Sequence, residues 1–204
     1  GNCGTFLAPD EVSQIRAMNA AYQQANLSPD DVQLVECHAT GAPVGDATEI
    51  SAMTRVFRAN TTIATLKANI GHALTASGIA AIVRALSAIE NRLLPPSLHA
   101  DDPIVDLKGS SLKLLRKPKS WDSKQRRAAI NCFGFGGNNA HLILEEYKPS
   151  NKQIKTKPST QSQSKIAVVG IGVIAAQSQN KNDFYDAYKN KQSQLRAVLN
   201  EQLM

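Results

Sequence analysis

The 204 residues, 42% of them apolar and 20% charged, are enough for one domain of ordinary size with a real core. The net charge of +6 is local: Lys148, Lys152, Lys155, Lys157 and Lys165 fall in one polar stretch without an acid, and the rest is close to neutral, which argues against nucleic-acid binding. Three scattered cysteines make no disulfide framework, Cys37 and His38 have no matching second pair for a metal, and neither a signal peptide nor a bilayer-length apolar run occurs. The chain therefore reads as soluble and cytoplasmic, in a reducing compartment.

From Pro9, the apolar positions Val12, Ile15, Met18 and Tyr22 predict an amphipathic helix with Asp10 and Glu11 in its first turn. Asn26 to Asp30 ends it, and Ser28 and Pro29 suit the start of another turn. Val32 to Cys37 is a short apolar strand that runs into the loop His38-Ala39-Thr40-Gly41-Ala42-Pro43. A second helix follows, with Ala47, Ile50, Thr54 and Phe57 on one face.

Thr61 to Leu66 is β-branched and apolar enough for a buried strand, and it closes on Lys67-Ala68-Asn69-Ile70-Gly71-His72. Ile79, Ile82, Val83, Leu86 and Ile89 then predict the core face of a long helix. His72 is expected in or near its first turn, where the dipole disfavours imidazolium and leaves a neutral N–H donor. Pro95 and Pro96 stop the helix. Ala128 to Cys132 is a strand, and Leu142 to Leu144 returns beside it. The glycines of Phe133-Gly134-Phe135-Gly136-Gly137-Asn138-Asn139-Ala140-His141 therefore form a tight turn between two strands. Strands alternating with helices define an α/β class.

Residues 148–164 are too polar to offset the entropy of ordering and read as a flexible linker. Lys165 to Gly170 begins a new buried strand, and Asn182 to Asn190 looks helical. Gly170-Ile171-Gly172-Val173-Ile174-Ala175 fits a dinucleotide-binding turn, but no second strand ending in an acid follows about twenty residues on.

Glu36-Cys37-His38-Ala39-Thr40-Gly41, Lys67-Ala68-Asn69-Ile70-Gly71-His72 and Phe133 to His141 occur in an order and spacing that resemble the three C-terminal signatures of β-ketoacyl synthases. These are the condensing enzymes of fatty acid and polyketide assembly. Gly45-Asp46-Ala47-Thr48-Glu49 resembles the family's segment after the first histidine. The likeness covers roughly residues 1–147 and is closer to the modular polyketide and polyunsaturated-fatty-acid synthase branch. It implies the layered α-β-α-β-α thiolase-like fold, present as its C-terminal half. Residues 165–204 would open a second ketosynthase-like domain, as in a tandem with a chain-length-factor partner.

By resemblance, His38, His72 and Lys67 form the catalytic set. Two neutral imidazoles would stabilise the enolate left by decarboxylation of a malonyl thioester, and Lys67 would support them electrostatically. Phe135 would gate the acyl pocket and give a backbone N–H to an oxyanion, with Gly134 and Gly136 letting main chain approach the substrate. Thr40 would hydrogen-bond a phosphopantetheine arm. The resemblance further implies acyl carrier protein domains as partners, a dimer, and no directly bound cofactor or metal.

The chain departs from the family at Ala39, Ala42 and Asn138, which bears on binding of the carrier arm. No cysteine elbow of the family's type is present: Cys3, Cys37 and Cys132 read as small buried or half-buried residues. The sequence is thus expected to be a fragment that cannot condense on its own. His141 reads as structural, and His99 carries no signal. A non-catalytic partner domain, a nucleotide-binding module at Gly170–Gly172 and a thiolase stay open as alternatives.

Overall fold

The computed structural model describes residues 8–104, 107–148 and 179–190, and the chain divides into two units, Gly1–Pro149 and Ser150–Met204. In the second unit the described residues hold one helix, Lys181–Lys189, where sequence pattern placed one. The polar stretch 149–164, the strand from Lys165 and the Gly170–Gly172 turn lie outside the described residues.

The first unit starts with helix α1, Glu11–Ala25, whose Asp10 side chain accepts the N–H of Ser13 at 2.9 Å. That bond satisfies one of the free N–H groups of the first turn. Asn26 ends α1 in the left-handed conformation, and a capping box between Ser28 and Asp31 starts the next turn. Strand β1 (Leu34–Glu36), helix α2 (Pro43–Val56), strand β2 (Thr61–Ala64), the single-turn helix α3 (Lys67–Ile70) and helix α4 (Ser77–Asn91) follow. Strands β3 (Leu93–Leu94), β4 (Leu112–Leu114), β5 (Lys119–Ser120), β6 (Arg127–Gly134) and β7 (Asn138–Glu145) complete the unit.

The main sheet has the order β4-β2-β1-β6-β7, and β3 pairs with β5 in a small ribbon. Strands β4, β2, β1 and β6 run parallel, while β7 returns antiparallel on β6 as the glycine turn requires. Alternate residues of each strand feed opposite faces. Val35, Ile63 and Ala129 pack with Met18 and Tyr22 of α1 and Ile50, Met53 and Val56 of α2. Leu34, Ala64, Ala128 and Ile130 pack with Ala81, Ala85, Ala88 and Ile89 of α4. The result is an α-β-α stack whose strands β1, β2 and β6 all deliver their C-terminal ends to one edge, where α/β proteins build their sites.

Three expectations change. Val12 points out at 63% exposure, so the buried face of α1 runs through Ser13, Gln14, Met18 and Tyr22. On α2 the buried positions are Glu49, Ile50, Ala52, Met53 and Val56, and Phe57 is the buried C-cap. The predicted face of α4 is only partly the buried one: Ile82 and Ile89 pack on the sheet side, while Ile79, Val83 and Leu86 are 66%, 61% and 48% exposed. The rest of its sheet-facing side is Ala81, Ala85 and Ala88, and these small side chains let the helix lie close to the strands. Apolar residues surround much of α4, so periodicity finds stripes on it without telling which one meets the sheet.

Candidate active site

The loop after β1 carries His38, and two carboxylates one turn apart on α2 hold it. Glu49 accepts the N–H groups of His38 and Ala39 at 2.8 and 2.7 Å, and Asp46 accepts those of Thr40 and Gly41. Four consecutive amides are thereby tied to one helix. The clamp sustains a loop in which Ala39 has φ +24° and Gly41 φ +84°. Burial raises the pKa of both carboxylates, and the amide hydrogen bonds oppose that rise.

The loop after β2 supplies Lys67 in α3 and then His72. His72, expected in or near the first turn of α4, lies five residues before that helix: Gly71 breaks the helical path with φ +76°, and Leu74–Ala76 makes a separate 3-10 turn. Local hydrogen bonds therefore set the ring. Its Nδ1 lies 3.1 Å from the N–H of Leu74, which can only donate, and 2.8 Å from Ser77 Oγ. Nδ1 is thus bare and Nε2 carries the proton.

His38 and His72 meet edge to face with ring centroids 5.6 Å apart, although 34 positions separate them in the sequence. Burial, Lys67 and His72 together lower the pKa of His38 to about 4, so its ring is neutral near pH 7. The positive charge of Lys67 reaches His38, Glu36, Asp46 and both Cys37 and Cys132. Beneath the corner, buried Glu36 accepts the N–H of Leu66 and pairs with Arg84 of α4 at 2.9 Å. Arg84 also donates to the carbonyl of Pro96 at 2.9 Å, tying β1, α4 and the chain after β3 together.

The end of β6 contributes Phe133, 8% exposed, whose ring lies 6.1 Å from His38. Phe135 occupies the 3-10 turn and is 65% exposed. Gly136 and Gly137 take φ of +67° and +71°, which L side chains rarely adopt, and a Cβ on Gly134 would approach the carbonyl of Asn138 to 3.2 Å. Phe133 therefore lies beside His38 while Phe135 stands outward. Cys37 is fully buried on the α2 side with its pKa pushed up, as is that of half-buried Cys132, so neither is activated as a thiolate.

A cavity of about 350 Å³ opens beside the same loops, lined by exposed Thr40, by Asp46 and Lys67, and by buried Ile50 and Ile63. Neither histidine lines it. Among the described residues no group of three or more His, Cys, Asp or Glu is placed to hold a metal, and no helix is long and apolar enough to cross a membrane. The roles of Glu49, Asn131 and Arg84 were not read from sequence. The acid of Gly45–Glu49 was a visible signal, but its target, a run of backbone amides, leaves no pattern.

The mixed sheet that brings His38, Lys67 and His72 to one edge has the thiolase-like fold of ketosynthases. The oxazolomycin ketosynthase domain OzmH KS7 of Streptomyces albus JA3453 superposes with a TM-score of 0.69 at 34% identity, covering 78% of this chain and 30% of that one. The ketosynthase from module 6 of the bacillaene synthase of Bacillus subtilis 168 gives 0.69 at 29% identity, covering 73% and 29%. A sequence profile described as "Beta-ketoacyl synthase, C-terminal domain" matches residues 1–101, and one described as "Ketoacyl-synthetase C-terminal extension" matches residues 102–202. The chain belongs to the β-ketoacyl synthase family and carries its C-terminal domain.

Its similarity to the hybrid PKS-NRPS synthetase pytA of Aspergillus terreus is 41% identity over 149 residues, 68% of this chain and 22% of that protein. The highly reducing polyketide synthase poxF of Penicillium oxalicum is 33% identical over 202 residues, 91% of this chain and 8% of that protein. The chain thus spans less than a quarter of either relative.

Proposed function

We propose that this chain supplies the decarboxylating half of a ketosynthase site in a polyketide or fatty acid synthase. The observation that carries it is the His38–His72 pair, two imidazoles from separate strand ends with centroids 5.6 Å apart and an N–H available on the second ring. A malonyl thioester delivered on an acyl carrier protein's phosphopantetheine arm loses carbon dioxide, and its thioester oxygen gains negative charge as the enolate forms. Two N–H donors fixed before the reaction stabilise that charge without reorganisation. Lys67 adds a positive field, and by burial and charge the surroundings keep His38 uncharged.

The acyl chain to be extended rides on a cysteine thioester, and the enolate carbon attacks its carbonyl. In this reading the nucleophile lies outside these 204 residues, since Cys37 is buried in the α2 core, Cys132 has a raised pKa, and neither has the family's elbow. The exposed stripe Ile79, Val83 and Leu86 supports the same reading, because further layers of the thiolase-like fold would cover it. Thr40 remains a proposed contact for the pantetheine arm, and Phe135, Gly134 and Gly136 the proposed acyl gate and close backbone approach. The same reading includes pairing as a dimer, a flexible linker over 148–164 and the start of a second ketosynthase-like domain in 165–204. The extension profile runs across that second segment.

Carbon dioxide release from a malonyl carrier protein by the intact protein tests the reading. His38→Ala and His72→Ala are each expected to lower it by about 10²–10³, the worth of one oxyanion donor. Release undiminished in both variants would make this a non-catalytic partner domain.

A further inference from the structure

We infer that His141 is a positioning residue for His38, acting through Asn131 and Glu49. The inference rests on the proposed role of His38 and adds the support that holds it in place. His141 faces Asn131 directly across the β6–β7 ladder, and its Nδ1 lies 2.7 Å from Asn131 Oδ1. Asn131, 1% exposed, donates from Nδ2 to Glu49 Oε1 at 2.8 Å. Glu49, 3% exposed, accepts the N–H groups of His38 and Ala39. Three side chains from β7, β6 and α2 thus form one line of hydrogen bonds that ends on the backbone of the loop after β1.

The donor directions are fixed along that line. Two backbone N–H groups already point at the Glu49 carboxylate, so the Asn131 group facing it is the amide NH2. Its oxygen then faces His141, and His141 Nδ1 must carry the hydrogen. Burial holds the His141 pKa at about 4, so the ring is neutral near pH 7 and has only that one N–H to give. Its other nitrogen, Nε2, is buried with no hydrogen-bond partner among the described residues.

That unpartnered nitrogen separates a donor from a space-filler. The ring is packed against Tyr22 at 5.1 Å and Phe57 at 6.5 Å, a setting a phenylalanine would fill without burying a bare nitrogen. What the imidazole adds there is the Nδ1 proton. The end of the line is where such a brace is needed. Ala39 sits at φ +24°, a conformation costly for a side-chain-bearing residue, and it persists because Glu49 holds both amides that flank the His38 side chain. If Asn131 rotates, the carboxylate loses its third donor and its orientation. The loop can then relax toward ordinary φ values, swinging His38 away from His72.

The test uses the intact protein and three measurements: kcat and KM for carbon dioxide release from a malonyl carrier protein, and hydrogen exchange at the amides of residues 38 and 39. His141→Phe keeps the ring and removes the donor, whereas His141→Asn places an amide N–H near the position of Nδ1. His141→Phe is expected to lower kcat by about 10- to 100-fold at little change in KM, and to speed exchange at both amides by about tenfold. His141→Asn should recover most of both losses.

Equal losses in the two variants would mean that the ring only packs, and would overturn the inference. Wild-type kcat and exchange in His141→Phe, with His38→Ala inactive, would overturn it while leaving the role of His38 standing. If His38→Ala is itself fully active, the proposed function fails, and the exchange rates still decide whether the brace exists. Should His141→Phe not fold, Asn131→Asp breaks the next link by setting one carboxylate against another. It is then expected to accelerate exchange at both amides, and unchanged exchange would overturn the inference.

Discussion

Replacing Arg84 by methionine removes the partner of a carboxylate that cannot reach water. Glu36 is 2% exposed, and Arg84 meets it at 2.9 Å with its own side chain 13% exposed. Burial pushes the Glu36 pKa up to about 7 against the opposing pull of Arg84, the Leu66 amide and Lys67. Arg84→Met takes away the largest opposing pull and sends that pKa higher still. An acid whose folded-state pKa is raised keeps its proton in the folded state where the unfolded chain has released it. Its contribution therefore favours folding at low pH, and stability falls as pH climbs from the ordinary carboxylate range through 7.

Leaving an ionised Glu36 without its guanidinium costs about 3–5 kcal/mol, the usual toll of breaking a buried pair. Protonation offers an escape at about pH 5, where only the hydrogen bonds to Glu36 and Pro96 are lost, for about 1–2 kcal/mol. Wild-type Glu36 itself titrates at about 7, so the variant holds an extra proton only above that pH, and urea unfolding of the intact protein at about pH 5 and about pH 8 should show a loss that grows by about 1 kcal/mol between them. Glu36→Gln with Arg84→Met should cost less than the two single changes added, because neither partner is left charged and alone. A loss equal at both pH values would refute the reasoning, since it would mean that Glu36 does not titrate against Arg84.

The His72 ring offers a paired substitution. With Nδ1 accepting from Leu74 and Ser77, the working hydrogen is on Nε2; His72→Gln, which reaches that position with an amide N–H, should retain more decarboxylation than His72→Asn by about tenfold or more, and the reverse order in a carbon dioxide assay would put the proton on the other nitrogen. Acid should destabilise the fold through His141. Its folded-state pKa of about 4 lies below the ordinary value of 6.5, so the unfolded chain takes up a proton first; stability is complete above 6.5 and is lost as pH falls to about 4, by at most about 3 kcal/mol. His141→Phe should flatten that slope in urea titrations across the same range, and an unchanged slope would assign it to other groups.

Whereas the short strands β3, β4 and β5 were not read, the order of α1, β1, α2, β2, α4, β6 and β7 was legible because β-branched runs, caps and glycines are local signals. Ser28 with Asp31 and the glycines at 136 and 137 are examples. The alanine-lined part of the α4 core face was not. Alanine scores as weakly apolar but lets a helix approach a sheet closely, so Ala81, Ala85 and Ala88 took the core and the larger Ile79, Val83 and Leu86 did not. At the site, motif spacing named His38, Lys67 and His72 but could not say what orients them. The displacement of His72 from the start of α4 follows from Gly71, whose positive φ interrupts a pattern that reads as continuous. Glu49 and Asn131 reach the His38 loop from 11 and 93 residues away, and nothing in a linear pattern links a carboxylate to a distant backbone amide.

The central claim is that two uncharged rings, His38 and His72, present N–H groups to a forming enolate. Nitrogen NMR of the histidines in the intact protein tests it most directly. His38 is expected to stay neutral as pH is lowered from 7 until it approaches 4, and His72 to show a bare Nδ1 and a protonated Nε2. An imidazolium at His38 near neutral pH, or a hydrogen on His72 Nδ1, would contradict it.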